Sequence, residues 1–149
     1  MAEKEATKAQ LAEEKMEQLN KELRGYMAQI EALRAEIAVI NQSISDLRTA
    51  SATLKNLKEL GRGKNILIPI GTTAQIEAKV EDVDKVIMSV GTGISAVLTH
   101  EEAIKRIETD ISALESLRKT LEEAIVELYN KTEDLLEKVR EVGKEEASA

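Results

Sequence analysis

The 149-residue sequence has no cysteine, no phenylalanine and no tryptophan, and Tyr26 and Tyr129 are its only aromatic residues. Without cysteine there is neither a disulfide framework nor a thiolate metal site, which agrees with a cytoplasmic setting. Without large aromatic rings a globular core loses its usual source of bulk. No apolar run approaches the roughly 18 residues of a membrane span. The N-terminal MAEKEATKAQ has no apolar leader segment, so neither membrane insertion nor secretion is expected. Basic clusters are also missing. Residues 101–149 carry 8 Lys and Arg against 14 Asp and Glu, a balance that repels a nucleic-acid backbone.

Catalytic constellations are equally scarce. His100 is the single histidine, and it is read as structural or solvent-facing rather than catalytic or metal-binding. The pairs Glu101/Glu102 and Glu122/Glu123 read as solvated helix faces. GRGKN has Lys58 where a phosphate-binding loop needs its first glycine and Asn65 where it needs Ser or Thr. GTGISA leads into a strand instead of a helix, so it reads as a hairpin turn. No enzyme, metal or cofactor is expected.

What remains is Leu, Ile, Val and Ala among 33% charged residues, the composition of long, solvent-laced helices. The net charge of −7 favours solubility, and the high Glu and Lys content is compatible with a thermophile. With Met16 at heptad position a, the a positions are Met16, Leu23, Ile30, Ile37, Ile44 and Ser51. The d positions are Ala12, Leu19, Tyr26, Leu33, Ile40, Leu47 and Leu54. Eleven of these thirteen are large and apolar, and only a 3.5-residue repeat keeps such a stripe turned toward a partner helix. The register then slips by three residues to Leu57 and Leu60, before Gly61 ends the helix. Gly25 is a candidate soft point within it.

A second helix opens at THEEAIKRI, capped by Thr99 or His100. Its a positions are Ile104, Ile111, Arg118, Ile125, Thr132 and Val139, and its d positions Ile107, Leu114, Leu121, Leu128, Leu135 and Val142. Arg118 either fixes register or lays its stem past Leu117 and Leu121. The expected fold is mainly α: a long antiparallel two-helix coiled coil interrupted by two central β-hairpins. A helix from Ala12 to Leu60 would span about 73 Å, too long for a compact globule. Residues 1–60 are the first helix, 61–99 the hairpins and 100–149 the second helix with an acidic tail, all within one structural domain.

Four alternating segments fill the insert, at about 65–70, 74–80, 85–90 and 94–99, with GTT and GTG at the tips and EDVD as the joint. Pro69 cannot donate to a ladder, so its strand should be an edge or carry a bulge. Ile66, Ile68 and Ile70 share a face, as do Ile76, Ala78 and Val80, then Val86, Met88 and Val90, then Ile94, Ala96 and Leu98. Two helices cannot cover all four rows. Hairpins from several subunits closing into barrels or shared sheets would, which makes the insert an oligomerisation module.

At the expected free end of the coiled coil lie Leu11, Met16, Leu19, Leu135, Leu136, Val139 and Val142. They either zip the end shut or, where it frays, offer weak hydrophobic contacts that several copies strengthen by multivalency.

These features together resemble an archaeal prefoldin subunit of the alpha class. The resemblance runs from the first helix to about Val142 and is most specific across LKNLKELGRGKNILIPIG and VDKVIMSVGTGIS followed by EEAI. Two consecutive hairpins distinguish the alpha class from the beta class, which has one. The resemblance implies an ATP-independent holdase in which two alpha and four beta subunits join through a double β-barrel. Six coiled coils then hang as tentacles whose tips hold unfolded clients and pass them to a group II chaperonin. It makes residues 65–99 the barrel contribution and the seven end residues the client contacts. Alpha subunits commonly have a glycine-rich turn with an aromatic residue after P-x-G, and IGTTAQIEAKV has neither. With LRAEI and ELYNKTEDL, that segment is similar to the alpha-like, filament-forming gamma prefoldins of hyperthermophiles. A paralogous second alpha subunit fits the resemblance equally, so hexamer and filament both stay open, and a coiled-coil scaffold whose filament or hexamer is itself the function is the alternative to a chaperone.

Overall fold

The computed structural model of the chain describes residues 2–148, with side chains described for 7–147. Its order is α1 (Ala2–Leu60), β1 (Asn65–Pro69), β2 (Gln75–Lys79), β3 (Val86–Gly91), β4 (Ile94–Leu98) and α2 (His100–Ser148). Two long helices with two small antiparallel hairpins between them are thus the observed architecture.

The heptad count is visible in the burial. Every a and d residue of α1 from Ala12 to Leu54 is buried or half-buried, as is every one of α2 from Ile104 to Val142. Ile30, Ile40, Ile44, Ile107, Leu128, Leu135 and Val142 are the buried large side chains of this seam. The three-residue slip holds for one step only, because Leu57 is half-buried but Leu60 is exposed. Arg118 lies half-buried in the seam and reaches Glu122, one turn on, at 3.9 Å, which keeps its charge at the edge of the seam. Helix α1 continues through Gly25, where an added Cβ would meet nothing within 4 Å.

The chain forms two compact units, Met1–Ile40 with Leu117–Ala149, and Asn41–Ser116. In the first, Arg34 hydrogen-bonds the Tyr129 hydroxyl with its guanidinium carbon 5.6 Å from the ring centroid. Further toward the chain ends, Leu19 and Glu22 share a cleft with Lys138 and Val142, so the two helices run antiparallel. In the second unit, Arg48 meets Glu115 at 2.9 Å, and His100 Nε2 lies 2.7 Å from the Leu54 carbonyl oxygen. These contacts are antiparallel too.

Helix ends follow from local chemistry. Gly61, at φ 81°, takes the left-handed conformation that a β-carbon resists, and its amide donates to the Leu57 carbonyl at 3.1 Å, closing α1. At the start of α2 the Glu102 amide donates to Thr99 Oγ1 (3.2 Å), while the Thr99 amide donates to Glu102 Oε2 (3.1 Å). This reciprocal capping box identifies Thr99, not His100, as the cap. Thr99→Ala should lower stability by about 1 kcal/mol in urea denaturation, and no loss would show the box to be idle.

The hairpins are two separate two-stranded sheets. In the first, Ile66 pairs with Ala78 and Ile68 with Ile76, while Pro69 ends β1 opposite Gln75. The Ile70 amide donates to the Ala74 carbonyl at 3.0 Å, closing the GTT tip. In the second, Val86 pairs with Leu98, Ile87 with Val97, Met88 with Ala96 and Ser89 with Ser95. The register then shifts between Ser89 and Gly91, leaving Val90 as the extra residue of a bulge beside a Thr92–Gly93 tip in which Gly93 has φ 76°. Between the hairpins, Asp82 Oδ1 accepts the Asp84 amide at 3.0 Å, an Asx turn that fixes the EDVD joint.

Candidate functional site

A two-stranded sheet has only edge strands, and an isolated hairpin is at best marginally stable in water. Here both hairpins also leave large aliphatic side chains in solvent. Of the residues expected to drive oligomerisation, Ile68, Ile70, Ile76, Val90 and Ile94 are exposed, whereas Ile66, Val80, Val86, Met88 and Leu98 are half-buried. The structure adds three that alternation had assigned to the opposite faces: Leu67, Ile87 and Val97, all exposed. The signal for Ile87 and Val97 lay in the near-continuous apolar runs KVIMSV and ISAVL. Such runs mark strands buried on both faces rather than one.

The seven end residues divide. Leu135 and Val142 are buried, and Met16, Leu19 and Val139 are half-buried along the same seam. Only Leu11, at 54% of its surface, and Leu136, at 40%, are open to solvent. Since Arg34 meets Tyr129, the residues one heptad further out, Met27 on α1 and Leu136 on α2, fall on the same flank. Met27 is exposed as well. Its e position, beside the seam rather than in it, placed it outside the a and d count.

Other chemistry is sparse. Among the described residues no group of three or more His, Cys, Asp or Glu side chains could hold a metal ion. His100 is 6% exposed. A carbonyl only accepts, so the contact with Leu54 fixes the proton on His100 Nε2, making the ring a tie between helices. No described helix is long and apolar enough to cross a membrane.

Comparison with known proteins agrees with this geometry. The family profile described as prefoldin subunit matches residues 26–145. A protein of Aquifex aeolicus provisionally named prefoldin subunit alpha is 66% identical over 147 residues, covering 99% of each chain. Prefoldin subunit alpha 2 of the archaeon Methanocaldococcus jannaschii is 52% identical over 128 residues, covering 86% of this chain and 87% of that one. Among solved structures, a cryo-EM structure of filamentous prefoldin from the same organism superposes with a TM-score of 0.70 at 55% identity. It covers 78% of this chain and 97% of its own.

Proposed function

Because the chain belongs to the prefoldin family, we propose that it is a subunit of a cytoplasmic, ATP-independent holdase that assembles through residues 61–99 and holds unfolded polypeptides at the outer end of its coiled coil. The observation that carries the reading is the contrast between the two parts of the chain. The helical seams satisfy themselves, whereas the hairpins hold Ile68, Ile70, Ile76, Ile87, Ile94 and Val97 in water. Each such residue gains about 1.5–3 kcal/mol on full burial, so association with other subunits is the route by which the hairpins become stable. The hairpins then serve as the anchor, and the exposed Leu11 and Leu136 offer adaptable apolar contacts to clients. In this reading the held client passes to a group II chaperonin, and no nucleotide, metal or enzymatic step takes part.

Two assemblies fit the anchor. One is a hexamer of two such subunits with four beta-class partners; the other is a filament of this chain alone. The filamentous relative at 55% identity favours the second. It also supports the alternative in which a filamentous scaffold is itself the function. One experiment separates chaperone from scaffold: suppression of the aggregation of a heat-unfolding test protein, without ATP, by the purified chain. The holdase reading expects suppression that rises with subunit concentration. Assembled particles without suppression would overturn it in favour of the scaffold. Electron micrographs of the chain alone and mixed with a beta-class subunit distinguish filaments from six-tentacled hexamers.

A further inference from the structure

The two hairpins are fastened to the chain in different ways. Strand β4 ends at Leu98 and α2 starts at His100, so Thr99 alone joins them, and its reciprocal box with Glu102 fixes that junction. The His100 ring then ties the start of α2 to the Leu54 carbonyl of α1. One face of β3–β4, formed by Val86, Met88, Ala96 and Leu98, is half-buried along its length. Hairpin β1–β2 has no such hold. Its base closes where the Gly63 amide donates to the Val80 carbonyl at 3.2 Å, and among the described residues no hydrogen bond or ion pair joins 63–80 to the rest of the chain. Ile66, Ala78 and Val80, all near that base, are half-buried, whereas residues 67–77 are all exposed.

Two short links carry β1–β2. The first, Gly61 and Arg62, runs between glycines at φ 81° and 82°, with nothing within 4 Å of where a β-carbon would stand on either. The second, 81–84, keeps its hydrogen bonds to itself: Asp82 Oδ1 accepts the Asp84 amide at 3.0 Å and the Asp82 carbonyl accepts the Lys85 amide at 3.4 Å. These links lie side by side, because Arg62 shares a cleft with Glu81, Asp82 and Asp84. We infer that β1–β2 is a flap that swings about the paired links while β3–β4 moves with the helices, and that Arg62 sets the rest position of the flap by attraction to the three carboxylates across the hinge. Hinges are made of a few residues at element ends that absorb changes in φ and ψ, and both links are of that kind. All four charged side chains are exposed, so salt screens the attraction and the hold is weak. The consequence for assembly rests on the reading proposed above: a flap that swings changes the angle at which a neighbouring subunit is held, and that angle decides between closure and open growth.

The test uses the full chain, which has no cysteine, so that introduced cysteines take spin labels at chosen sites only. Glu77→Cys with Lys105→Cys measures the flap against α2, and Ser95→Cys with Lys105→Cys measures β3–β4 against α2. All three positions are exposed, and both hairpin sites lie within strands rather than at tips. Pulsed dipolar electron spin resonance, with labelled chain diluted in excess unlabelled chain, reads the distance distribution inside one chain. The flap pair is expected to give a distribution about twofold broader or more than the β3–β4 pair. Arg62→Glu, which sets like charges across the hinge, is expected to shift or broaden the flap distribution and to leave the β3–β4 distribution unchanged. High salt is expected to act in the same way, and Arg62→Lys, which keeps the charge, to leave both distributions as they are.

Equal widths for the two pairs overturn the flap. A flap distribution that Arg62→Glu leaves unchanged overturns the role of Arg62 in the hinge. Sedimentation velocity on the same samples keeps the hinge and the assembly apart. Particles with equal widths overturn the flap and leave hairpin-driven assembly standing, whereas a broad flap pair in a chain that stays monomeric supports the flap and overturns that assembly.

Discussion

Ile44→Ala should cost about 3 kcal/mol and lower the thermal midpoint by about 10 °C for a chain of this length, read from the loss of helical circular dichroism. Ile44 is only 2% exposed, at an a position in α1. Truncation removes its burial and leaves a cavity that a two-helix seam can only partly close. The control is Val39→Ala at a c position, where the side chain is 67% exposed. That change removes no buried contact and replaces a β-branched residue by the best helix former, so it should stay within about 0.5 kcal/mol of the parent. Both variants must be compared at one protein concentration, because association raises apparent stability by mass action. Equal effects at the two positions would mean that the seam is not what holds the helices.

The contrast between Ile44 and Val39 also explains why the helical part was legible in the sequence. A 3.5-residue repeat has one solution: the stripe faces a partner and the rest faces water. All the a and d residues from Ala12 to Leu54 and from Ile104 to Val142 are sheltered accordingly. The α2 cap was half legible. Thr99 and His100 were both chemically able, and the Glu three residues after Thr99 completes a box only with Thr99. The slip to Leu60 was not, because Gly61 ends the helix before a second shifted position can reach the seam.

The hairpins expose the limit of periodicity. Alternation separates Met88 from Ile87 without saying which of the two faces the chain itself covers. Where both rows are aliphatic, as in VIMSV and ISAVL, the pattern carries no preference. The row with more large side chains, Val86 to Leu98, was the natural choice for assembly, yet it is the row already half-buried. The bulge at Val90 was equally hidden, since it arises from the pairing of Gly91 with Ile94 across a two-residue tip. Assembly surfaces are thus decided by what is left after the chain has folded, and that remainder is a property of three-dimensional cover.

The same distinction sets the form of the client-binding test. Changing Leu135 or Val142 would open a buried seam, so lost activity there would report unfolding as readily as lost contact. Leu11→Ser with Leu136→Ser avoids this, because both side chains already stand in solvent and neither is an a or d residue. The thermal midpoint and particle mass should stay at the parent values. Suppression of aggregation should fall about tenfold or more at equal subunit concentration. A loss of about 1 kcal/mol per coiled-coil end is modest, but it multiplies when several ends of one particle grip the same client. Restoring one position as Leu11→Met with Leu136→Met, which keeps apolar bulk on a flexible side chain, should recover most of the suppression. If the serine pair suppresses aggregation as well as the parent while assembly is intact, clients are held elsewhere. The exposed flank that Met27 shares with Leu136 is then the next surface to alter.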